Sequence, residues 1–463
     1  MSDPTLGAPE RPVRVAVIGA GPAGFFTADA LLRSTAPTFE VDVFERLPTP
    51  FGLVRAGVAP DHQNIKAVTK IFERTARADR FRFYGNVEVG KDVTPAELAA
   101  RYDQVVYATG SSSDRRLGIP GEELTDVHAA TAFVGWYNAH PDFRDFPFDL
   151  SPERAVVVGA GNVALDVARV LLRDPEELAK TDIAAHAIAA LRASRVREVV
   201  LLVRRGAAEV AFTPRELEDI AALAGVRVTV DLGVVEADAA RADALDADAR
   251  KRVEVLLELA RAAPKAAPRT LRIELLASPV EVLGREGQRV RAVRVERNEI
   301  VRDGGGAVAR GTGRFFEIEA GIVLRSIGYR GVPIPGVPFD AKTGTIPNDE
   351  GRVRDGAARV PGTYAVGWVR RGPLGVIGTN KADAQAVAAK MIEDVAALAP
   401  APDRARGSID ALLASRGARP TTYADWAALD AHELDAGRAE GKVREKLATV
   451  EEMMNALLRA RPR

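Results

Sequence analysis

Apolar positions in this chain come in short runs, and most runs are followed by a glycine-rich break and then by residues at helical spacing. Val13-Arg14-Val15-Ala16-Val17-Ile18 reads as a buried strand, Phe25 to Arg33 as the helix after it, and Val41-Asp42-Val43-Phe44 as the next strand. Ile65 to Arg77 predicts a further helix, and Phe81 to Phe83 and Val105 to Tyr107 predict two more short strands. The same alternation restarts at Ala155-Val156-Val157-Val158 and runs on through Val199 to Val203 and Val226 to Val230. Strand and helix in turn predict the α/β class, here as two Rossmann-like, three-layer nucleotide-binding units.

Other stretches depart from that rhythm. Between Glu236 and Lys265, Ala, Asp and Arg at helical spacing predict one amphipathic helix. Leu271 to Leu276 and Val290 to Val295 alternate partly, which predicts antiparallel, half-exposed strands, with a turn at Gly304-Gly305-Gly306. Gly321 to Tyr329 mirrors Val105 to Gly110: each is a short strand ending in small residues, as suits a chain crossing between units near a ligand. The first unit is therefore expected to be discontinuous (11–115 and 325–400), with the second (116–324) inserted into it. The helical spacing from Ile409 and the Glu, Lys and Leu-rich run Lys442 to Leu458 predict a C-terminal helical appendage over 401–463.

The breaks after two of the strands carry chemistry. Gly19-Ala20-Gly21-Pro22-Ala23-Gly24 is a GxGxxG fingerprint in its expected place, after a strand and before a helix. Gly19 permits the tight turn, Gly21 lets the backbone approach a pyrophosphate, and Gly24 allows helix to pack on strand. Glu45, about 20 residues past the last glycine, suits a ribose 2'-hydroxyl, so this half wants a nucleotide without a 2'-phosphate. The second fingerprint, Gly159-Ala160-Gly161-Asn162-Val163-Ala164, ends in alanine, and its following strand ends in Arg204-Arg205. Two guanidinium groups suit a dianionic 2'-phosphate, so the second half is read as an NADP(H) site.

Composition narrows what the two nucleotides are for. At 463 residues, two or three domains are expected, and 64 basic against 64 acidic residues give no global pull toward nucleic acid or membrane. Zero cysteines exclude disulfides, cysteine-held iron–sulfur clusters and a CxxC pair, so redox chemistry must sit in bound organic cofactors. None of the five histidines falls in HxH or HExxH spacing, and no metal site is expected. The polar, proline-bearing start to Pro12 lacks a signal-peptide core, and no apolar stretch of about 18 residues occurs, which predicts a cytoplasmic protein.

These features together resemble the adrenodoxin-reductase-like branch of ferredoxin–NADP reductases. The resemblance rests on the two fingerprints, on Leu47-Pro48-Thr49-Pro50-Phe51-Gly52-Leu53-Val54-Arg55 with Gly57-Val58-Ala59-Pro60-Asp61-His62, and on Phe133 to Asn138, Gly161 to Arg169 and Gly367 to Pro373. It implies FAD in the first unit and NADPH in the second, with hydride passing from nicotinamide to flavin and single electrons from there to an acidic ferredoxin. For FAD it implies Ala23, Glu45, Leu53, Val89, Arg115, Trp368, Gly375, Val376 and Ile377. For NADPH it implies Asn162, Val163, Ala164 and Leu165 at the pyrophosphate, Arg204 and Arg205 at the 2'-phosphate, and Glu216 toward the nicotinamide. His62 and Asp166 are placed near the flavin, as groups that order water or tune protonation. A packed histidine or an ordinary helix-start acid would give the same residues.

A basic face is expected for the acceptor, with Arg370, Arg371 and Arg250-Lys251-Arg252 as candidates, and a monomer is favoured. Rival readings are a glutamate-synthase-like NADPH-oxidising subunit, a flavin monooxygenase, another NADPH-dependent flavin enzyme, or a non-catalytic NADPH- or flavin-binding module. The first normally carries a cysteine-rich region, which this chain lacks.

Overall fold

A computed structural model describes residues 5–263, 266–285, 288–303 and 306–460. The first fingerprint follows β1 (Val13–Ile18), every residue of which is buried, as expected of a central parallel strand. With it run β2 (Phe39–Phe44), β3 (Phe81–Tyr84) and β4 (Gln104–Tyr107). A short β5 (Ser113–Asp114) leads out to β6 (Val127–Ala129), β7 (Arg154–Val158), β8 (Glu198–Leu202), β9 (Val226–Val230) and β10 (Arg269–Glu274). Three long strands follow, β11 (Ala277–Arg285), β12 (Arg289–Asp303) and β13 (Gly306–Glu319), then β14 (Ile322–Arg325) and the short β15 (Tyr329–Arg330). The chain closes its strands with β16 (Asn348–Asp349), β17 (Arg352–Asp355) and β18 (Ala358–Ala365).

Two parallel sheets organise the molecule. The first has the order β16-β17-β18-β4-β1-β2-β3, parallel except at its β16-β17-β18 edge; the second runs β6-β14-β7-β8-β10-β9, parallel throughout. One face of the second sheet packs on helices through Val157, Leu201 and Ile273, and the other meets the antiparallel β11-β12-β13 sheet through Val156, Val200, Val293 and Val295. Its third layer is thus a small sheet.

Several sequence expectations are corrected. Leu271 to Leu276 is mostly β10, a parallel strand between β8 and β9. Its alternation arises because Leu271 and Ile273 face the helices while Arg272 and Glu274 face ion pairs with Glu198 and Arg297. Val290 to Val295 does lie in an antiparallel strand. The span from Glu236 is two helices, Leu232–Ala239 and Ala247–Arg261, because Asp246 leaves helical geometry to accept from the Ala249 N–H at 2.7 Å and cap the second. The span from Ile65 likewise splits into Gln63–Lys66 and Thr69–Ala76. Lys265 and Gly304-Gly305 lie outside the described residues.

The tail forms the helices Ser408–Ser415, Tyr423–Ala439 and Val450–Ala460, and these pack into the first unit. Trp426, Leu429, Met453 and Leu457 sit in the same buried cluster as Val15, Phe25 and Phe39, and Ile409 and Leu413 join Ile18 and Tyr107 on the opposite face of the first sheet. Glu433, fully buried, takes Arg55 at 2.6 and 2.8 Å and Arg444 at 3.1 Å. The tail also crosses to the second unit: Lys446 Nζ lies 3.0 Å from Asp182, which also holds Lys66 at 2.6 Å, and Lys442 donates to the Ile183 carbonyl.

Between the sheets the chain crosses at β5 and β15, which pair antiparallel, Asp114 opposite Tyr329. Arg325 braces that crossing with bonds to Asp114 at 2.9 Å and an ion pair to Glu122 at 3.3 Å.

Burial of His128 against Phe146 and Phe148 pushes its pKa down to about 4, and burial does the same to His140. Both values lie below the unfolded value of about 6.5, so the unfolded chain takes up protons that the folded one refuses. Stability is therefore complete above about pH 6.5 and falls as pH drops toward 4. His128→Phe is expected to flatten the acid side of a plot of melting temperature against pH; an unchanged acid slope would count against this account.

Candidate active site

Both fingerprints open onto one cleft of about 1760 Å³, beyond the roughly 300–1,000 Å³ of a single small-ligand site. Gly19, Gly21, Ala23, Glu45, Leu53, Val89 and Arg115 line it from the first unit, with Trp368, Gly375, Val376 and Ile377. Asn162, Val163, Asp166, Arg204, Arg205 and Glu216 line it from the second unit, and His62 from a loop of the first that reaches toward the second.

Gly24, Ala164 and Leu165 do not line the cleft. A Cβ on Gly24 would lie 2.1 Å from the Gly19 carbonyl, so this glycine serves helix packing. Ala164 and Leu165 are fully buried, and their N–H groups donate to the Gly161 carbonyl at 3.0 and 3.3 Å. Ala164 and Leu165 thus belong to the first helical turn and the core.

The geometry at the helix starts fits nucleotides. A Cβ on Gly21 or Gly161 would meet nothing within 4 Å, so each turn presents open backbone to the cleft. Behind Gly21, the Ala20 N–H donates to Glu45 at 3.0 Å and the Leu47 N–H does so at 3.2 Å. Burial pushes the Glu45 carboxyl up against these bonds, so a further donor would stabilise it. Arg204 and Arg205 follow β8; their carbonyls are held by Asn298 and the Leu276 N–H, and neither guanidinium has a protein partner among the described residues.

On the far wall Gly375 has φ +80°, and a Cβ there would fall 2.5 Å from Thr379 Oγ1, so the loop into the helix Ile377–Asp394 requires glycine. Arg371 braces this loop through Leu374, Thr379 and Asn380, and Arg370 and the Gly367 N–H both bind Asp383 at 2.6 Å. Arg370 and Arg371 therefore hold the loop and are not free acceptor-facing charges. Arg250 donates to the Ala242 carbonyl and Arg252 to the distant Ala208 carbonyl, and Lys251 pairs with Glu254. Trp368 lines the cleft beside Tyr329, and its buried indole N–H has no partner among the described residues, a donor that fits a polar cofactor edge.

Where the two units face each other, His62 stands between two carboxylates, Nδ1 4.0 Å from Asp166 and Nε2 3.7 Å from Glu216. Asp166 lies in the helix of the second fingerprint, and Glu216 in the first turn of Pro214–Ala221, whose cap Thr213 donates its N–H to Asn162 at 2.8 Å. Sequence reasoning missed what lies behind them: Arg169, 1% exposed, binds Asp61, Asp166 and Glu216 at once. The signal was present as the i, i+3 spacing of Asp166 and Arg169. Burial raises the Asp166 carboxyl, with Arg169 opposing and Glu216 adding to the rise. At Asp61 burial works upward too, but the charge and bonds of Arg169 hold it below the usual carboxylate range.

This fold and cleft match the family model of pyridine nucleotide-disulphide oxidoreductases over residues 13–389. Relatives include NADPH-ferredoxin reductase FprA of Mycobacterium tuberculosis, 46% identical over 96% of this chain and 99% of its own, and human mitochondrial NADPH:adrenodoxin oxidoreductase, 44% identical over 97% and 92%. The solved structure of Mycobacterium tuberculosis FprA in complex with NADPH superposes with a TM-score of 0.92 over 97% of this chain and all of that one, at 46% identity. The chain belongs to this family, in its adrenodoxin-reductase-like branch of ferredoxin–NADP reductases. With no cysteine it lacks the thiol pair of the family's name.

Proposed function

We propose that this protein is an FAD-dependent ferredoxin–NADP reductase drawing electrons from NADPH. The observation that carries the reading is a single cleft with two glycine-opened helix starts, one backed by Glu45 and the other by Arg204 and Arg205. FAD, when bound, accepts a hydride from NADPH and hands its electrons singly to an iron–sulfur protein. The residues hold and orient. Gly19, Gly21 and Ala23 cradle the FAD pyrophosphate while Glu45 takes its ribose; Leu53, Val89, Arg115, Trp368 and Gly375 to Ile377 surround the rest. Asn162, Val163, Ala164 and Leu165 at the helix start would receive the NADP pyrophosphate, and Glu216 would lie toward the nicotinamide. His62 and Asp166 would order water or tune protonation beside the flavin.

On this reading residues 11–115 and 325–400, with the packed tail 401–463, form the FAD unit, and 116–324 the NADP unit. The relatives' names support an iron–sulfur partner, and we extend this to an acidic ferredoxin acting on a cytoplasmic monomer. Among the described residues no helix is long and apolar enough to cross a membrane. Anaerobic titration tests the reading: NADPH should bleach the bound flavin far better than NADH, and added ferredoxin should restore its colour. Absence of bound flavin would end this reading, and bleaching without reoxidation would point to a different acceptor.

A further inference from the structure

Arg169 does not line the cleft, yet the two carboxylates that flank His62 both end on it. Its Nη2 donates to Asp166 at 2.6 Å and its Nη1 to Glu216 at 3.0 Å, while Nε and Nη2 grip Asp61 at 2.8 and 3.2 Å. Asp61 belongs to the loop from the first unit and is also held by Arg173 at 2.8 Å. One guanidinium thus joins a carboxylate from the first unit to two from the second. Other groups facing this cluster are Asp219, which comes within 4.8 Å of His62 and Glu216, and the hydroxyls of Tyr137 and Tyr329.

We infer that Arg169 is a positioning residue for hydride transfer: it fixes Asp166 and Glu216 on either side of His62 and ties their placement to the first unit through Asp61. The inference rests on the NADPH-to-flavin reading above. Simple filling of space needs no charge, whereas three largely buried carboxylates converging on one point need a cation or protons. Misplacing groups around reacting rings by about 1 Å costs on the order of 100-fold in rate.

The test uses the full-length flavoprotein as wild type, Arg169→Met, Arg169→Lys and Arg173→Gln. The last removes a bond to Asp61 without touching Asp166 or Glu216. Flavin content and melting temperature are measured first, then NADPH-driven flavin reduction by stopped flow across pH, NADP+ affinity, and the infrared carboxyl region at neutral pH. Arg169→Met is expected to slow reduction about 10- to 100-fold, to move the acid limb of the pH profile upward, to change NADP+ affinity little, and to show a protonated-carboxyl stretch absent from wild type. Arg169→Lys, which keeps the charge but loses the fork, should fold and fall between, and Arg173→Gln, which leaves Arg169 on all three carboxylates, should slow reduction less than Arg169→Lys. If Arg169→Met does not fold, Arg169→Lys decides. A folded, flavin-loaded Arg169→Lys with wild-type rate, pH profile and infrared spectrum overturns the positioning role alone. A wild type that NADPH does not reduce overturns the functional reading and this inference with it.

Discussion

Replacing Arg204 and Arg205 together by alanine is expected to weaken NADPH by about 100-fold or more while leaving NADH nearly unchanged. A hydrogen bond to a charged group contributes about 1.5–3 kcal/mol, so two such contacts carry about 3–6 kcal/mol, or two to four decades in affinity. The structure supports an effect of at least the lower end of that range on two counts. The backbone beneath both residues is anchored, since Asn298 holds the Arg204 carbonyl at 2.8 Å and the Leu276 N–H the Arg205 carbonyl at 3.2 Å. The side chains themselves reach the cleft with no protein carboxylate to leave behind among the described residues. Steady-state KM values for the two nucleotides decide the matter: an equal loss for NADPH and NADH would place both arginines in the scaffold.

The largest effect on stability is expected at Asp182. This residue lies buried between Lys66 and Lys446, with Nζ to carboxylate distances of 2.6 and 3.0 Å. Burial works to raise its pKa, but the charges of Lys446 and then Lys66 overcome it and hold the value at about 2. Burial in turn pushes both lysines downward. Asp182→Ala would leave two cations together in the interior without a counter-charge, and removing one partner of such a group costs about 3–5 kcal/mol. A melting temperature within about a degree of wild type would refute this. The depressed pKa also fixes a pH window: the contribution is whole above the unfolded aspartate value near 4 and is lost as pH falls toward 2. This loss lies on the acid side of that expected from His128 and His140, so the two are separable in one pH series.

What the sequence disclosed and what it concealed divide by range. The fingerprints were legible because strand, turn and helix lie within a few residues, so glycine placement and apolar runs specify them locally. The crossings at Val105 to Gly110 and Gly321 to Tyr329 were legible because both must carry small residues past the cleft. Parallel pairing of β10 was not, since alternating burial records which faces are wet and says nothing about strand direction. The helices of the tail were legible but their packing was not, because the apolar positions at Trp426, Leu429, Met453 and Leu457 do not name the distant Phe25 and Phe51 that they cover. Arg169 escaped because a charged residue in a helix is ordinarily solvated, and two of its three acidic partners, Asp61 and Glu216, come from distant parts of the chain.

The pairing of β5 with β15 places the way into and the way out of the inserted unit side by side. Two bodies joined along one such edge open like a book. Here the tail fastens them at a second, separate place, around Lys446 and Asp182. With spine and fore-edge both closed, the halves cannot swing apart without breaking a buried ion pair. Leu374 and Val376, exposed on the wall of the cleft, take no part in either fastening.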